Sequence, residues 1–561
     1  MKLGRRPTSA LLAALACLNI LLRYPPTGHE VDVDSFFIHA LSGAILSDGY
    51  AEWTISPLSY FGWYPLSYPS AGPFFLVSTS LLTGMTIEAA ILIVTIALGP
   101  AGILGAFLMA REVTRTDAAA LSAAMIYGLA PRFLAITLWT ASTRNLFTIL
   151  LPVVIWAMLR AYRTRSRAAL LVLALSVVVL AATHRLVVLI VVVAIAFLAA
   201  IIVYLFLRLL RIRFPTIALH NSVRRASPHI ALLTVVASVL VMLFATNVLD
   251  EYSRGEIASG SEPYIQLANM SISILRSVGL ALPLSLVGLV IMTRQRNKTI
   301  VEPFLAITLV GLVPTFFLRQ YTGFYILPFL ALFGGLGCAG LIQSARRRPR
   351  VAAAVAVSLV VSVAAFSGYV LSIEIQRLPI LTDETYTTGV YVNSLGAPGT
   401  MISNHGLTGI RIAAVSGVKV LPVGGAGTTF QNPELLAYGF YSADEVHARL
   451  VQVPITSLTV ESDSIWIASG IQAELDWVLI MESPYGNIPS GLELRYTPSY
   501  YLELNSLPGV FLAYNNYYCS NLARSVYESA YRIYDNGYES IWWLYSPGIT
   551  PYAPVFTNRC A

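Results

Sequence analysis

Pro25-Pro-Thr-Gly-His-Glu-Val-Asp-Val-Asp-Ser-Phe-Phe-Ile-His39 separates the first apolar segment of the chain from the second, and it crowds acids against aromatics and prolines. Glu30, Asp32 and Asp34 stand at alternate positions. In an extended backbone, side chains two apart project to one face, so this spacing predicts that Asp32 and Asp34 converge on one cation or one hydroxyl. Asp34 also suits a helix N-cap, and Phe37, Ile38, Leu41, Ala44 and Ile45 recur after it at helical spacing. The stretch therefore predicts a short helix lying on a membrane surface, with carboxylates at its start.

The remainder of the chain explains why a membrane is invoked. Of 561 residues, 56% are hydrophobic and only 12% charged, with a mean hydropathy of +0.69. That composition excludes an ordinary soluble protein and implies a polytopic one. The formal charge of +7 does not indicate a nucleic-acid partner. Its arginines sit in short clusters between apolar runs, where they set topology, and no basic face with interleaved aromatics is present. Four cysteines are too few for a disulfide scaffold. Cys17 and Cys338 fall inside predicted spans, whereas Cys519 and Cys560 lie in the tail and can pair if the tail is outside the cell.

Residues 8–24 are apolar behind a basic start and lack a convincing small-residue cleavage site, since Ala16-Cys17 only faintly resembles a lipoprotein site. A signal anchor with a cytoplasmic N-terminus is expected, with residues 25–86 outside. Residues 65–84 carry too short an apolar run for a span and predict a second surface or re-entrant helix. Spans follow at 87–110, 117–136, 145–160, 168–182, 186–207, 228–247, 267–293, 301–318, 323–343 and 351–371, giving about eleven in all. The basic cluster Arg160, Arg163, Arg165, Arg167 and the basic loops at 208–225, 294–298 and 346–350 then all fall inside. His184-Arg185, the acid-bearing loop 248–266 and Arg319-Gln320-Tyr321 fall outside with residues 25–86.

Beyond the last span, residues 373–561 are richer in Gly, Tyr, Asn and Ser, with short alternating apolar runs. Val415 to Pro422 and Tyr534 to Trp542 predict strands, the latter around an Asp-Asn-Gly turn. The expected architecture is an α-helical polytopic membrane domain, 1–372, followed by an extracytoplasmic mixed α/β domain, 373–561.

Asp34-Ser-Phe-Phe-Ile-His39, then Gly49-Tyr50, then Tyr64-Pro65 through Tyr68-Pro69 and Pro73, resembles the first outer loop of the GT-C integral-membrane glycosyltransferases. Those include protein O-mannosyltransferases, aminoarabinose transferases and oligosaccharyltransferase catalytic subunits. The resemblance covers roughly residues 1–345 as a pattern of spans and outer loops. It implies a sugar donor on a polyprenyl phosphate or diphosphate, transfer with inversion, and an acid of this loop at the active site; Asp34 matches that position, with Asp32 beside it.

Such transfer needs a base to deprotonate the incoming hydroxyl or to activate an amide, and Asp34 is the candidate. Asp32, with Asp34, can instead hold a divalent cation such as Mg or Mn, which takes hard oxygen ligands and offsets charge on the departing phosphate. Arg319 resembles the arginine with which some members grip the lipid phosphate, and Arg144 and Arg185 are rivals for that role. All three also suit simple snorkelling to lipid headgroups. His184, between long Leu/Val runs, and His39, on the predicted surface helix, are candidates for substrate contact or for capping and headgroup roles. Trp53, Trp63 and Tyr64 are placed for sugar stacking or for interfacial anchoring.

Two departures bear on substrate. No acid occurs in 137–145, where oligosaccharyltransferases carry a second acidic motif, and the tail lacks the Trp-Trp-Asp-Tyr-Gly sequence with which they recognise an acceptor sequon. A monosaccharide transferase acting on a protein, lipid or glycan acceptor is the reading that follows. Asn404-His405-Gly406 and Gly424, Gly425 and Gly427 suit an acceptor cleft or simple turn chemistry. A flippase for lipid-linked glycans would place ionisable residues deep in several spans, and here they cluster at span ends. A non-catalytic assembly subunit on the same scaffold is the other rival.

Overall fold

A computed structural model describes residues 5–25, 27–51, 54–55, 63–64, 70–210, 279, 281–294, 299–318, 323–344, 349–375, 380–395, 400–403, 406–417, 419–422, 510–515, 531–536 and 539–544. The predicted span 228–247, the first part of the span 267–293 and the loop 248–266 lie outside the described residues, as do Arg319, Gln320, Tyr321, Trp53, Asn404, His405, Cys519, Cys560 and the glycines at 424, 425 and 427. The chain divides into two compact units that are discontinuous in sequence. One comprises residues 1–24, 95–138 and 144–377; the other comprises 25–94, 139–143 and 378–561. Residues 25–94 thus group with residues 378–561.

The first unit is helical. Its elements are α1 (Arg5–Leu21), most of α4 (Ile87–Thr114), α5 (Asp117–Gly128), α6 (Pro131–Ile136), most of α7 (Thr143–Thr164), α8 (Arg167–Thr183), a short 3₁₀ turn, α9 (Ile190–Leu209), α10 (Ala281–Arg294), α11 (Val301–Leu318), α12 (Gly323–Ser344) and α13 (Pro349–Ile375). The single span expected over 117–136 is two helices, because Pro131 cannot continue the ladder of α5 and instead opens α6 at its first turn. Among the described residues, Ile87–Thr114, Thr143–Thr164, Val187–Leu209 and Tyr325–Gln343 are long and apolar enough to cross a membrane. Shorter apolar stretches accompany them in α1, Ala71–Thr83, α8, α10, α11 and α13.

Small residues set the closest helix contacts in this unit, as expected where no hydrophobic force separates helix from lipid. A Cβ at Gly288 of α10 would lie 1.7 Å from the Phe333 carbonyl oxygen of α12, and one at Gly337 of α12 would lie 2.1 Å from the Leu284 oxygen. Around this seam, Phe107, Phe147, Phe197, Phe304, Tyr325, Phe329 and Phe333 fill the core, with the Phe147 and Tyr325 rings 5.0 Å apart.

The second unit contains α2 (Val33–Asp48), α3 (Ala71–Thr83), α14 (Asp383–Ser394) and α15 (Gly406–Ser416). Its short hairpin is β1 (Thr54–Ile55) with β2 (Trp63–Tyr64). Five further strands, β3 (Thr400–Ser403), β4 (Lys419–Pro422), β5 (Val510–Asn515), β6 (Tyr531–Asp535) and β7 (Glu539–Leu544), form a mixed sheet in the order β4-β3-β5-β7-β6. β3 runs parallel to β4 and β5, and α15 makes the crossover from β3 to β4. β6 and β7 are antiparallel, with Asp535 opposite Ser540, so the hairpin expected at Asp-Asn-Gly is present. The strand expected from Val415 is shorter: α15 runs to Ser416, Gly417 leaves it at φ +71°, and β4 begins at Lys419.

The helix expected after the acid-rich stretch forms, but it is enclosed rather than amphipathic. Ser35, Phe36, Phe37, Ile38, His39, Ala40, Leu41, Ser42 and Ile45 of α2 are all buried. They pack with Leu76 and Val77 of α3, Ile87 and Ile91 of α4, Trp139, Leu381, and Ile410 and Ala414 of α15. Apolar residues on every side of the helix, not one stripe, account for this.

Candidate active site

The acid-rich stretch does not run as one extended strand. Val31 is pinned on both sides: its amide donates to the Trp139 carbonyl at 3.2 Å, and it bridges Ile380 in antiparallel fashion. The chain then turns sharply at Asp32, with φ 84° and ψ 138°, a conformation costly to a residue with a side chain, by about 1–3 kcal/mol. Consequently α2 starts at Val33, Asp32 rather than Asp34 takes the N-cap position, and the Asp32 side chain makes no capping bond. Asp34 is the second residue of the helix. The alternation that would put Glu30, Asp32 and Asp34 on one face ends at this turn.

Each acid accordingly has its own surroundings. Asp34 is half-buried, and its Oδ2 accepts from the Ser142 hydroxyl at 3.2 Å. Glu30 is fully buried. One of its oxygens accepts from Ser35 Oγ at 2.6 Å and the other meets His39 Nδ1 at 2.5 Å, the ring nitrogen donating because an ionised carboxylate can only accept. Ser35 Oγ in turn accepts from the Ala141 amide at 2.8 Å. Asp34, Ser35, Ala141 and Ser142 thus form one junction between the start of α2 and the segment 139–143.

A second cluster lies alongside. Glu88, in the first turn of α4, accepts from His29 Nδ1 at 2.9 Å and from the Glu30 amide at 3.3 Å. His29 Nε2 faces Asp383 at 3.3 Å, and its ring stacks on Tyr386 at 4.1 Å. Trp139 Nε1 donates to the Glu88 carbonyl at 3.3 Å.

Burial would lower the His39 imidazolium, yet attraction to Glu30, the hydrogen bond with it and the charge of Glu88 together outweigh that cost. The net direction is upward from 6.5, so the pair favours imidazolium against carboxylate. His39 Nδ1 therefore faces an internal carboxylate, that of Glu30.

The other candidates are dispersed. Arg144, half-buried, is in the first turn of α7. His184 closes α8, its amide on the Leu180 carbonyl and its ring 6.1 Å from that of Phe147. Arg185 opens the 3₁₀ turn, and Trp63 and Tyr64 form β2; the side chains of these three lie outside the described residues. Among the described residues, no three His, Cys, Asp or Glu side chains converge to hold a metal ion.

Sequence reasoning passed over His29, Ser35, Glu88 and Ser142. Glu88 left a legible trace as a lone acid opening a long apolar helix; Ser35 and Ser142 left none.

Solved structures of an archaeal oligosaccharyltransferase share this fold. The apo crystal structure of the Archaeoglobus fulgidus oligosaccharyltransferase matches at TM-score 0.54 and 11% identity, over 98% of this chain and 75% of that one. The same enzyme tethered to an acceptor peptide with the NVT sequon matches at TM-score 0.51 and 12% identity, over 75% of this chain. This chain spans 64% of that one. A third structure, archaeal AglB from A. fulgidus with an inhibitory peptide and a dolichol-phosphate, gives TM-score 0.52 and 11% identity, over 97% of this chain and 75% of that one. More particularly, residues 27–275 match the family model of oligosaccharyl transferase STT3, N-terminal. No curated protein sequence matches.

Proposed function

We propose that this chain is a membrane glycosyltransferase that moves a sugar, a monosaccharide, with inversion from a polyprenyl-phosphate carrier to an acceptor on the extracytoplasmic face. The observation that carries the reading is Asp34: a half-buried carboxylate in the first turn of α2, steered by Ser142, within the stretch that the STT3 N-terminal family model matches. A lipid-phosphate ligand in the AglB structure supports a prenyl-linked donor. The proposed topology has about eleven spans, a cytoplasmic N-terminus and residues 373–561 outside.

In the proposed step, an Asp34 oxygen takes the proton of the acceptor hydroxyl while that oxygen attacks the anomeric carbon from the side opposite the phosphate. The bond from anomeric carbon to phosphate oxygen breaks, and the phosphate leaves with the electron pair. Asp34 then releases its proton to water. Positive charge developing on the sugar and negative charge on the phosphate both need fixed partners. For the phosphate we assign Arg319, with Arg144 and Arg185 as alternatives, because a guanidinium fork matches phosphate oxygens. His184, Trp63 and Tyr64 are proposed as substrate contacts.

The test is an Asp34→Asn variant assayed in membranes with radiolabelled mannosyl-, glucosyl- and arabinosyl-polyprenyl phosphates, scoring transfer to membrane acceptors and to water. Loss of a general base predicts a fall of about 10²- to 10⁴-fold in turnover with binding of radiolabelled polyprenyl phosphate retained. Turnover equal to wild type removes Asp34 as the base. Carrier movement across the bilayer without any sugar transfer would establish the flippase instead.

A further inference from the structure

We propose that Glu30 and Ser35 are positioning residues for Asp34: the Glu30 carboxylate, braced by His39, orients the Ser35 hydroxyl, which holds the 141–142 backbone so that Ser142 steers Asp34. The inference rests on Asp34 being the base, and it supplies what holds that base in place.

Directionality makes the chain of contacts a device. A serine hydroxyl has one proton and two lone pairs. Donating that proton to Glu30 at 2.6 Å leaves the lone pairs of Ser35 to receive the Ala141 amide at 2.8 Å. Because Ser142 follows Ala141 directly, the amide contact fixes where its hydroxyl begins, and that hydroxyl reaches Asp34 Oδ2 at 3.2 Å. If Glu30 no longer accepts, Ser35 is free to turn its proton toward the Ala141 amide, and two donors then oppose each other. The junction loosens at the residue adjoining Asp34 in sequence and at the residue adjoining Ser142.

His39 braces the acceptor: Glu30 is fully buried, and His39 Nδ1 meets its second oxygen at 2.5 Å. The groups facing His39 are few. Glu30 lies on the preceding loop, Glu88 on α4 carries His29, Asp34 sits on the same helix, and Asp383 of α14 ends at His29. Helix α3, packed on α2, brings no titratable group, while α15 brings Arg411, whose guanidinium lies 5.6 Å from the Phe36 ring. Raising the pH discharges His39 and reduces its Nδ1–H bond to Glu30 from a charge-assisted one to one from a neutral donor. Sugar transfer should therefore have an alkaline limb that belongs to His39, although His39 touches no reacting atom.

The experiment compares Ser35→Ala, Ser35→Thr, Glu30→Gln and His39→Gln with Asp34→Asn in the full chain, using the same labelled polyprenyl-phosphate sugars. Ser35→Ala should lower turnover about 10- to 100-fold, the scale of a misplaced catalytic group, and Glu30→Gln, whose amide oxygen can still accept from Ser35, should lower it less, both with polyprenyl phosphate binding unchanged. Ser35→Thr keeps the hydroxyl and should restore turnover. The alkaline limb of the wild type should vanish in His39→Gln, leaving a lower, flat profile, which a merely structural role would not produce. Wild-type turnover in Ser35→Ala and Glu30→Gln alongside an inactive Asp34→Asn overturns the positioning role alone. An active Asp34→Asn overturns the base itself. If Glu30→Gln does not accumulate, the two Ser35 variants decide, and equal turnover in both counts against the proposal.

Discussion

The Arg23 guanidinium and the Glu30 carboxylate are 1% and 0% exposed, one in the helical unit and one in the unit that holds the acid-rich loop, and they are satisfied by opposite chemistries. Arg23 is caged by neutral oxygens. Its Nε and one terminal nitrogen donate to Thr137 Oγ1, the other donates to the Asn19 carbonyl and side-chain oxygens, and the group lies over the Phe133 ring at 4.9 Å. Gly99 makes room for it, since a Cβ there would sit 2.9 Å from Arg23 Cζ. Glu30 has instead a serine and a titratable histidine. A cage of neutral oxygens offers no charged partner, whereas an ion pair with histidine can be dissolved by removing one proton. The first suits a fixed helix crossing and the second suits a site whose geometry matters to chemistry.

That contrast is breakable by truncation. Glu30→Ala leaves a buried imidazolium without its carboxylate and Ser35 without its acceptor, and should cost about 3–5 kcal/mol, read as a lowered unfolding midpoint of the detergent-solubilised chain. Arg23→Met should cost less, about 1–3 kcal/mol, because its partners keep other bonds. Thr137 Oγ1 still donates to the Phe133 carbonyl, and Asn19 Nδ2 still donates to the Gly128 carbonyl, which leaves mainly Asn19 Oδ1 unserved. A larger loss at Arg23 than at Glu30 would mean that the neutral cage is the more tightly coupled of the two.

The apolar side of both regions was legible and the polar side was not. Helical spacing of Phe37, Ile38, Leu41 and Ile45 located α2, and long uncharged runs located the helices around Arg23, because such periodicity reports what one element buries. The start of α2 was misplaced, since it depends on Val31 being held by Trp139 and Ile380, contacts across more than a hundred residues. Asp34 was picked out by its neighbours in sequence, yet its partner Ser142 is 108 residues away. Glu30 stands nine residues before His39, a separation that no helix or strand period marks as a contact. Extended alternation also misled at Asp32, where the chain adopts a positive φ that side chains ordinarily avoid.

The smallest effect, and the sharpest, changes no heavy atom. The folded-state pKa of His39 lies above 6.5, so its pairing contributes stability that is fully present below that value and is lost as pH rises through the folded value. The unfolding midpoint of the wild type should therefore fall across that alkaline window. The same fall should persist in Arg23→Met, because that substitution leaves Glu30 and His39 untouched in the other unit. In His39→Gln it should disappear, since glutamine can donate to Glu30 but has no proton to lose there. Measured as midpoint against pH in the three proteins, a slope that survives in His39→Gln would place the titrating group elsewhere. A slope abolished in Arg23→Met would show that the two buried charges are not independent, and the division of labour drawn between them would fail.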